Sequence, residues 1–317
     1  LRGYMFLFIC MTNLQLLIAR SIIEKEQLKK VDVLFIGDVD NVKNQYYLKK
    51  IQPLCRHSDI VPQVAKFSTF KTIQRTRYAK KIMEKYAREY HTVFFANFHV
   101  PLIHHILSCI TFSEIKTFDD GTNNINQKSI MYENKNISAT SKLIRKLMGR
   151  KYHKDEILKL DAKHYTLFPN RTNIIEKTEG IILVHHNGLP DTNNGFKKVL
   201  LGTVYTDALK NKEDECVFLQ HLQRFIKKEA VDIYIPHPRY DSHQFNGVLN
   251  VSSEMIAEDI ILEYLEQGMS LEIYGFNSTV QYNLNNISTI KNYKITSPFL
   301  KDSFNHGLGF DFNQVSV

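Results

Sequence analysis

Residues 271–279 read Leu271-Glu272-Ile273-Tyr274-Gly275-Phe276-Asn277-Ser278-Thr279. A short apolar run stops at a glycine, and two small hydroxyl residues open the next segment. This is the pattern of a buried strand, a turn and a helix start, the repeating step of a parallel sheet. The step recurs on both sides. Lys198–Leu201 runs into Gly202-Thr203, and Asp232–Pro236 runs into His237-Pro238-Arg239. Val248–Val251 and Tyr293–Ile295 read as further strands. Val217, Phe218, Leu222, Phe225 and Ile226 fall at helical spacing, as do Met255, Ile256, Ile260, Tyr264 and Leu265, with Gly268 as a C-terminal stop.

The first half repeats the alternation. Tyr4–Ile9, Val31–Ile36, Thr92–Ala96 and Glu114–Phe118 read as buried strands, and Leu14 to Lys29 as a helix. Alternating strands and helices predict an α/β protein with parallel sheets. A polar, loop-rich stretch from Pro169 to Lys197 separates the two sets. It predicts two domains, over residues 1–178 and 179–317.

The composition agrees with this. The 317 residues are 43% hydrophobic and 23% charged, which excludes a disordered or fibrous chain. Lys+Arg is 41 and Asp+Glu is 33, a net charge of +8 that suits an anionic ligand or surface. Cys10, Cys55, Cys109 and Cys216 are scattered, with no C-x-x-C pair. They indicate neither a disulfide framework nor a zinc site, and point to a reducing compartment. Gly3 to Ala19 is free of charge and admits a signal-anchor reading, but Thr12, Asn13 and Gln15 interrupt it. A strand followed by a helix describes it better. The chain opens on leucine, which leaves room for residues ahead of it.

Two stretches are basic, Lys66 to Arg88 and Lys142 to Lys154. The second carries an apolar strip, Leu143, Ile144, Leu147 and Met148. A solvated helix face and a contact with anionic lipid both fit. No nucleic-acid module is recognisable, so nucleic acid is not an expected partner.

Ligands of parallel sheets bind beyond the carboxyl ends of the strands. The turns at Gly202-Thr203, His237-Pro238-Arg239 and Gly275 to Thr279 then share one edge. Ser278 and Thr279, at a helix start, offer donors to a phosphate, and His237 and Arg239 add more. In the first half, Asp119-Asp120-Gly121-Thr122 follows a strand. Two readings stay open there: carboxylates that hold a hydroxyl or a metal, or a helix cap. Thr12 and Asn13 follow the opening strand in the same way. Asp38-Val39-Asp40 resembles a divalent-metal motif but reads better as a polar turn. His104-His105 and His185-His186 lack companions at ligand spacing, so no metal is expected.

Six ordered blocks together resemble the bacterial lipooligosaccharide sialyltransferase family, known from Neisseria and Haemophilus relatives. They are Glu114 to Thr122, His164 to Phe168, Leu200-Leu201-Gly202-Thr203, Pro236-His237-Pro238-Arg239, Glu258 to Leu262 and Tyr274 to Thr279. The opening strand with Thr12-Asn13-Leu14-Gln15 is similar too. The resemblance implies a GT-B-like fold, two Rossmann-type domains facing across a cleft, with an acceptor-side first domain and a CMP-binding second one. It implies inverting, metal-independent transfer of sialic acid from CMP-sialic acid to a galactose-terminated glycan, lipooligosaccharide or capsule, with no cofactor.

Carried over, Asp207 is the general base and His237 the general acid, with Asp120 and Glu213 as alternative bases. Ser278 and Thr279 hold the CMP phosphate and Glu258 contacts the cytidine. Gly202, Thr203, Pro238, Arg239 and Gly275 line the donor, and Thr12, Asn13, Asp119 and Gly121 the other substrate. The family also implies a homodimer. The location expected is the bacterial cytoplasm, with peripheral contact at the inner face of its membrane through the basic stretches. Another nucleotide-sugar donor, or a non-catalytic nucleotide- or glycan-binding protein, are the rival readings.

Overall fold

A computed structural model describes residues 3–63, 71–133, 137–160, 163–183, 190, 194–240 and 243–317. The chain divides into two compact units, Leu1–Ile181 and Ile182–Val317.

The first unit runs β1 (Phe6–Cys10), α1 (Asn13–Lys25), β2 (Val31–Ile36), α2 (Val42–Ile51), β3 (His57–Val61), α3 (Lys71–Met83) and β4 (Glu89–Phe95). It continues with α4 (Pro101–Leu107), β5 (Thr111–Phe118), α5 (Ala139–Leu147), α6 (Lys154–Leu158), β6 (Lys163–Thr166) and β7 (Thr178–Gly180). Its sheet has the order β3-β2-β1-β4-β5-β6-β7, and every pairing is parallel.

The second unit runs β8 (Gly195–Leu201), α7 (Tyr205–Ala208), α8 (Glu215–Glu229), β9 (Ile233–Ile235), β10 (Leu249–Asn250) and α9 (Ala257–Glu266). Then come β11 (Met269–Gly275), α10 (Thr279–Asn283), β12 (Ile290–Thr296), α11 (Asp302–His306) and β13 (Asn313–Ser316). Its order is β10-β9-β8-β11-β12-β13, again all parallel. This is the α/β architecture with parallel sheets that the alternation predicts, in the two Rossmann-type units that the resemblance implies.

The central strands are apolar because helices cover both faces of a parallel sheet. Phe6 to Cys10 are all buried, and Phe8 stacks on Phe94 at a ring separation of 4.2 Å. The signal-anchor alternative is thereby displaced. The expected strand Tyr4–Ile9 forms as Phe6–Cys10, an interior strand of the first sheet, and no helix among the described residues is long and apolar enough to cross a membrane. The first helix ends at Lys25 rather than Lys29, because Gln27 adopts a left-handed backbone, φ 51°. Gly268 stops α9 as expected: its φ is 78° and its N–H donates to the Leu265 carbonyl at 2.9 Å.

Each sheet reverses its building direction once. Chain order moves outward from β1 to β3, then restarts at β4 on the other side of β1. In the second sheet it moves outward from β8 to β10 and restarts at β11. At such a point the flanking crossover connections leave in opposite directions and open a crevice beyond the strand tips.

Helix α5 buries none of its residues and leaves its apolar strip in the open. Lys142 faces the body of the unit and bonds Asp155 at 3.0 Å, whereas Leu143, Ile144, Leu147 and Met148 are exposed, Leu147 at 80%.

At the second sheet's reversal, Gly202 follows β8 and donates its N–H to the Ile235 carbonyl at 2.8 Å. A Cβ there would lie 2.7 Å from the Tyr234 hydroxyl and 3.0 Å from the His237 nitrogen. Only glycine lets the tips of β8 and β9 close in this way. Gly202→Ala should therefore cost about 1–3 kcal/mol by overpacking. Differential scanning calorimetry reads the loss, and a melting temperature equal to wild type would contradict it.

Candidate functional site

The register of β8, β9 and β11 aligns their carboxyl ends. Leu201 lies beside Ile235, and Leu200 beside Tyr274. The turns at Gly202-Thr203, Pro236 to Arg239 and Gly275 to Thr279 are thus neighbours along one edge, as expected. Strands are spaced about 4.8 Å apart, so the β9 and β11 turns, one strand removed, are separated by roughly 10 Å of backbone.

His237, Arg239 and Asp207 come together there. The Arg239 amide donates to His237 Nδ1 at 3.1 Å. Nδ1 is thereby an acceptor, which leaves the proton of the neutral ring on Nε2. Burial holds the His237 pKa below its ordinary value, and Arg239 lowers it further, while Asp207 pulls the other way. Arg239 Nη2 lies 3.7 Å from Asp207 Oδ2, with both side chains mostly exposed. Asp207 sits on the single turn α7, whose backbone is tied down: Lys301 Nζ donates to the Asp207 carbonyl at 2.7 Å. The same loop supplies the Lys210 to Phe299 and Lys301 to Ala208 backbone bonds. This arrangement can bind an anion through Nε2–H and the guanidinium, and can present a carboxylate beside it. Pro238 is exposed between the two donors.

Ser278 caps α10. Its Oγ accepts from the Val280 amide at 3.3 Å, and Gln281 Oε1 accepts from the Ser278 amide at 3.1 Å. The cap uses only a lone pair, so the hydroxyl proton remains available to an anion, and Thr279 beside it is exposed. Gly275 makes room for this cap, since a Cβ there would lie 2.5 Å from Gln281 Oε1. Glu258 lies in the first turn of α9, buried, with Asn283 Nδ2 donating to Oε1 at 2.9 Å. Burial raises its pKa, with the neighbouring Asp259 adding to the effect and the Asn283 bond opposing it. Glu258 is thus tied to α10 rather than standing open on the edge. Glu213, the other carboxylate considered, is exposed beyond α7.

The first sheet's reversal carries a second polar cluster. Asp120 accepts from Gln15 Nε2 at 2.7 Å, Asn97 Nδ2 at 2.8 Å and Asn123 Nδ2 at 3.3 Å. Thr12 is exposed and caps α1, its hydroxyl accepting from the Gln15 amide at 3.2 Å, and Asn13 opens the helix. Gly121 turns the chain with φ 56°. Asp119 departs from expectation. It has no exposed surface, and its oxygens accept from His164 Nε2 at 2.8 Å, Thr166 Oγ1 at 2.9 Å and the Leu167 amide at 2.6 Å. Its carboxylate locks β5 to β6 and is out of reach of a substrate, because only a carboxylate with all these donors is tolerated at such depth.

Gln15 ends the Thr12-Asn13-Leu14-Gln15 stretch with no role attached to it, and Asn97 belongs to none of the motifs. Asn97 follows the strand Thr92–Ala96 in the same way that the chosen turns follow theirs, so the strand-tip rule applied once more would have found it.

The metal-like patterns resolve into local bonding. Asp38 Oδ1 accepts from the Asp40 amide at 3.0 Å within a turn. His104 bonds the Phe98 carbonyl at 2.7 Å and Arg150 at 2.5 Å, and His105 bonds Thr76 at 3.0 Å. Burial and then Arg150 push both rings down to about 3. His185-His186 lies outside the described residues.

These features can be set beside known proteins. A sialyltransferase of Pasteurella multocida, described as acting from CMP-N-acetylneuraminate on beta-galactosides with alpha-2,3 linkage, is 31% identical over 90% of this chain and 88% of its own. An N-acetyllactosaminide alpha-2,3-sialyltransferase of Haemophilus influenzae is 32% identical over 88% of each chain. A Neisseria meningitidis enzyme of that name is 23% identical over 94% of this chain and 80% of its own. Among solved structures, LpCGTa in complex with UDP aligns at a TM-score of 0.49 and 8% identity, over 96% of this chain and 82% of that one. The sequence model of glycosyltransferase family 52 matches residues 29–298, most of both units, and the chain belongs to that family.

Proposed function

We propose that this glycosyltransferase moves sialic acid from CMP-sialic acid to a terminal galactose of a bacterial surface glycan, lipooligosaccharide or capsule, forming an alpha-2,3 linkage. The observation that carries the reading is the His237–Arg239–Asp207 cluster on the strand-tip edge, in a chain whose relatives of that activity align over nine tenths of its length. The second unit holds the donor and the first meets the acceptor.

In this mechanism the acceptor hydroxyl attacks the anomeric carbon of sialic acid and passes its proton to Asp207. The bond to the CMP oxygen breaks with inversion, and the leaving phosphate takes up charge. His237 Nε2–H, Arg239 and the Ser278 and Thr279 hydroxyls stabilise that charge, so the step needs neither metal nor cofactor. Glu258, anchored by Asn283, fixes the wall of the nucleoside end.

Transfer of sialic acid to lactose in the presence of EDTA, followed by chromatography, tests the activity. CMP should raise the melting temperature and UDP should not. A shift with UDP alone, or loss of transfer in EDTA, defeats the proposal. Asp207→Asn should lower kcat by about 100-fold or more with donor KM little changed. An equal loss with Asp120→Asn alone would move the base to the first unit.

The pH dependence has a definite sign. The free His237 titrates below its ordinary value, and an anionic donor favours the imidazolium. Donor affinity should therefore strengthen as pH falls through the pKa of the complex and level off below that of the free ring. CMP-sialic acid keeps its own charge over this range, so the slope belongs to the protein. Calorimetric titration across pH reads it, and His237→Gln should flatten the curve.

A peripheral contact with anionic lipid is part of the same proposal. The exposed strip of α5, with Arg145 and Lys146 beside it, has the composition of an interfacial helix. The chain contains no tryptophan, so Leu147→Trp gives a single indole that can be excited apart from the tyrosines. Its emission should shift to the blue with phosphatidylglycerol vesicles and stay unchanged with phosphatidylcholine. No shift with either would remove the lipid contact.

A further inference from the structure

The side chain of Gln15 has no exposed surface, yet it sits on α1 among Leu14, Leu16, Leu17 and Ile18. An apolar residue would suit that face better, since a buried amide is costly unless every donor and acceptor is used. Both N–H groups and the oxygen have partners, and in one direction. The Met11 amide donates to Gln15 Oε1 at 2.7 Å. A backbone N–H can only donate, so Gln15 Nε2 must point the other way. There it donates to Asn97 Oδ1 at 2.7 Å and to Asp120 Oδ1 at 2.7 Å. Asn97 Oδ1 is thereby an acceptor, which aims Asn97 Nδ2 at Asp120 Oδ2, 2.8 Å away. The chain of amides Met11, Gln15, Asn97 has one polarity and ends on one carboxylate.

Three strand tips supply the parts. Met11 and Gln15 follow β1, Asn97 follows β4 and Asp120 follows β5, with β1 and β4 flanking the reversal of the sheet. Asn123 adds a third donor to Asp120 Oδ2 at 3.3 Å. Two carboxylate oxygens offer about four acceptor positions, and these amides occupy three. The fourth lies on Oδ1 of a half-buried side chain at a sheet edge. We infer that Asp120 accepts a hydroxyl of the acceptor sugar there, and that Gln15 and Asn97 are its positioning residues. The inference rests on sugar transfer as the reaction and adds the residues that aim its acceptor carboxylate.

Gln15→Glu separates this role from a purely structural one. Glutamate keeps an oxygen for the Met11 amide but loses the N–H groups directed at Asn97 and Asp120. Gln15→Met removes both functions at similar volume. Binding of a galactose-terminated oligosaccharide is measured by calorimetry, and steady-state KM for acceptor and donor alongside it, on proteins matched by melting temperature. Loss of one hydrogen bond to a carboxylate should weaken acceptor binding about tenfold in Gln15→Met, and Gln15→Glu, which also sets a second carboxylate against Asp120, should weaken it at least as much. Donor KM and acceptor-free hydrolysis of CMP-sialic acid should stay as in wild type. In an Asp120→Ala background, Gln15→Glu should have no further effect on acceptor binding.

An acceptor affinity unchanged by Gln15→Glu, or an effect that persists in full without Asp120, overturns the assignment. So does a donor KM that rises in parallel. If wild type binds the galactoside but transfers nothing from CMP-sialic acid, the donor reading fails while the binding arm still decides the role of Gln15. A wild type that does not bind the galactoside sinks the inference itself.

Discussion

Parallel pairing is the constraint from which the rest follows. A parallel strand can only be reached by a crossover, so within each sheet every strand ends at the same edge of that sheet and hands the chain to a loop or helix there. Functional groups spread over more than 100 residues of sequence then collect within a few strand spacings. Gln15 and Asp120 are 105 positions apart and hydrogen-bonded, and Asp207 and Arg239 meet although 32 positions separate them. The reversals at β1/β4 and β8/β11 decide where on each edge the polar groups gather.

The two clusters differ in kind. In the second unit the charged groups are exposed and lightly held: Arg239 and Asp207 lie 3.7 Å apart in water, where such a pair contributes little stability. They are free to exchange each other for a ligand. In the first unit the polar groups are more deeply set and held by several hydrogen bonds, with Asp119 sealed into the framework and Asp120, one residue later, half-buried and reaching the edge. Strand alternation explains that division, since consecutive residues at a strand end point to opposite sides. A sequence that reads Asp-Asp thus contains one structural and one available carboxylate.

The small residues at the tips have geometric reasons. Gly202 and Gly275 sit where a Cβ would collide with Tyr234 and Gln281 respectively; the first collision would push the tips of β8 and β9 apart, and the second would displace the Gln281 side chain from the cap at Ser278. Glycine here permits a close approach of backbone to its neighbours and has no need of an unusual φ.

Much of this was legible in the residues. Most central strands announced themselves because both faces are covered and their runs are apolar; Val31–Ile36 has the expected limits, and Gly268 ends α9. Of the edge strands only β10 did, within Val248–Val251. β3 reads His-Ser-Asp-Ile-Val, β7 Thr-Glu-Gly and β13 Asn-Gln-Val-Ser, since an edge is half solvated and lacks a hydrophobic signature. Local sequence also determined which turns follow strands, and so placed His237, Arg239, Ser278 and Asp120 on sheet edges. Only the tertiary structure decided strand order and register, and with them that Asp207 belongs with Arg239, that Asp119 is sealed, and that Gln15 and Asn97 converge on Asp120. Hydrogen bonds between side chains so distant in sequence depend on how non-adjacent strands pair. That pairing is settled by the packing of the whole sheet, and no short window of residues records it.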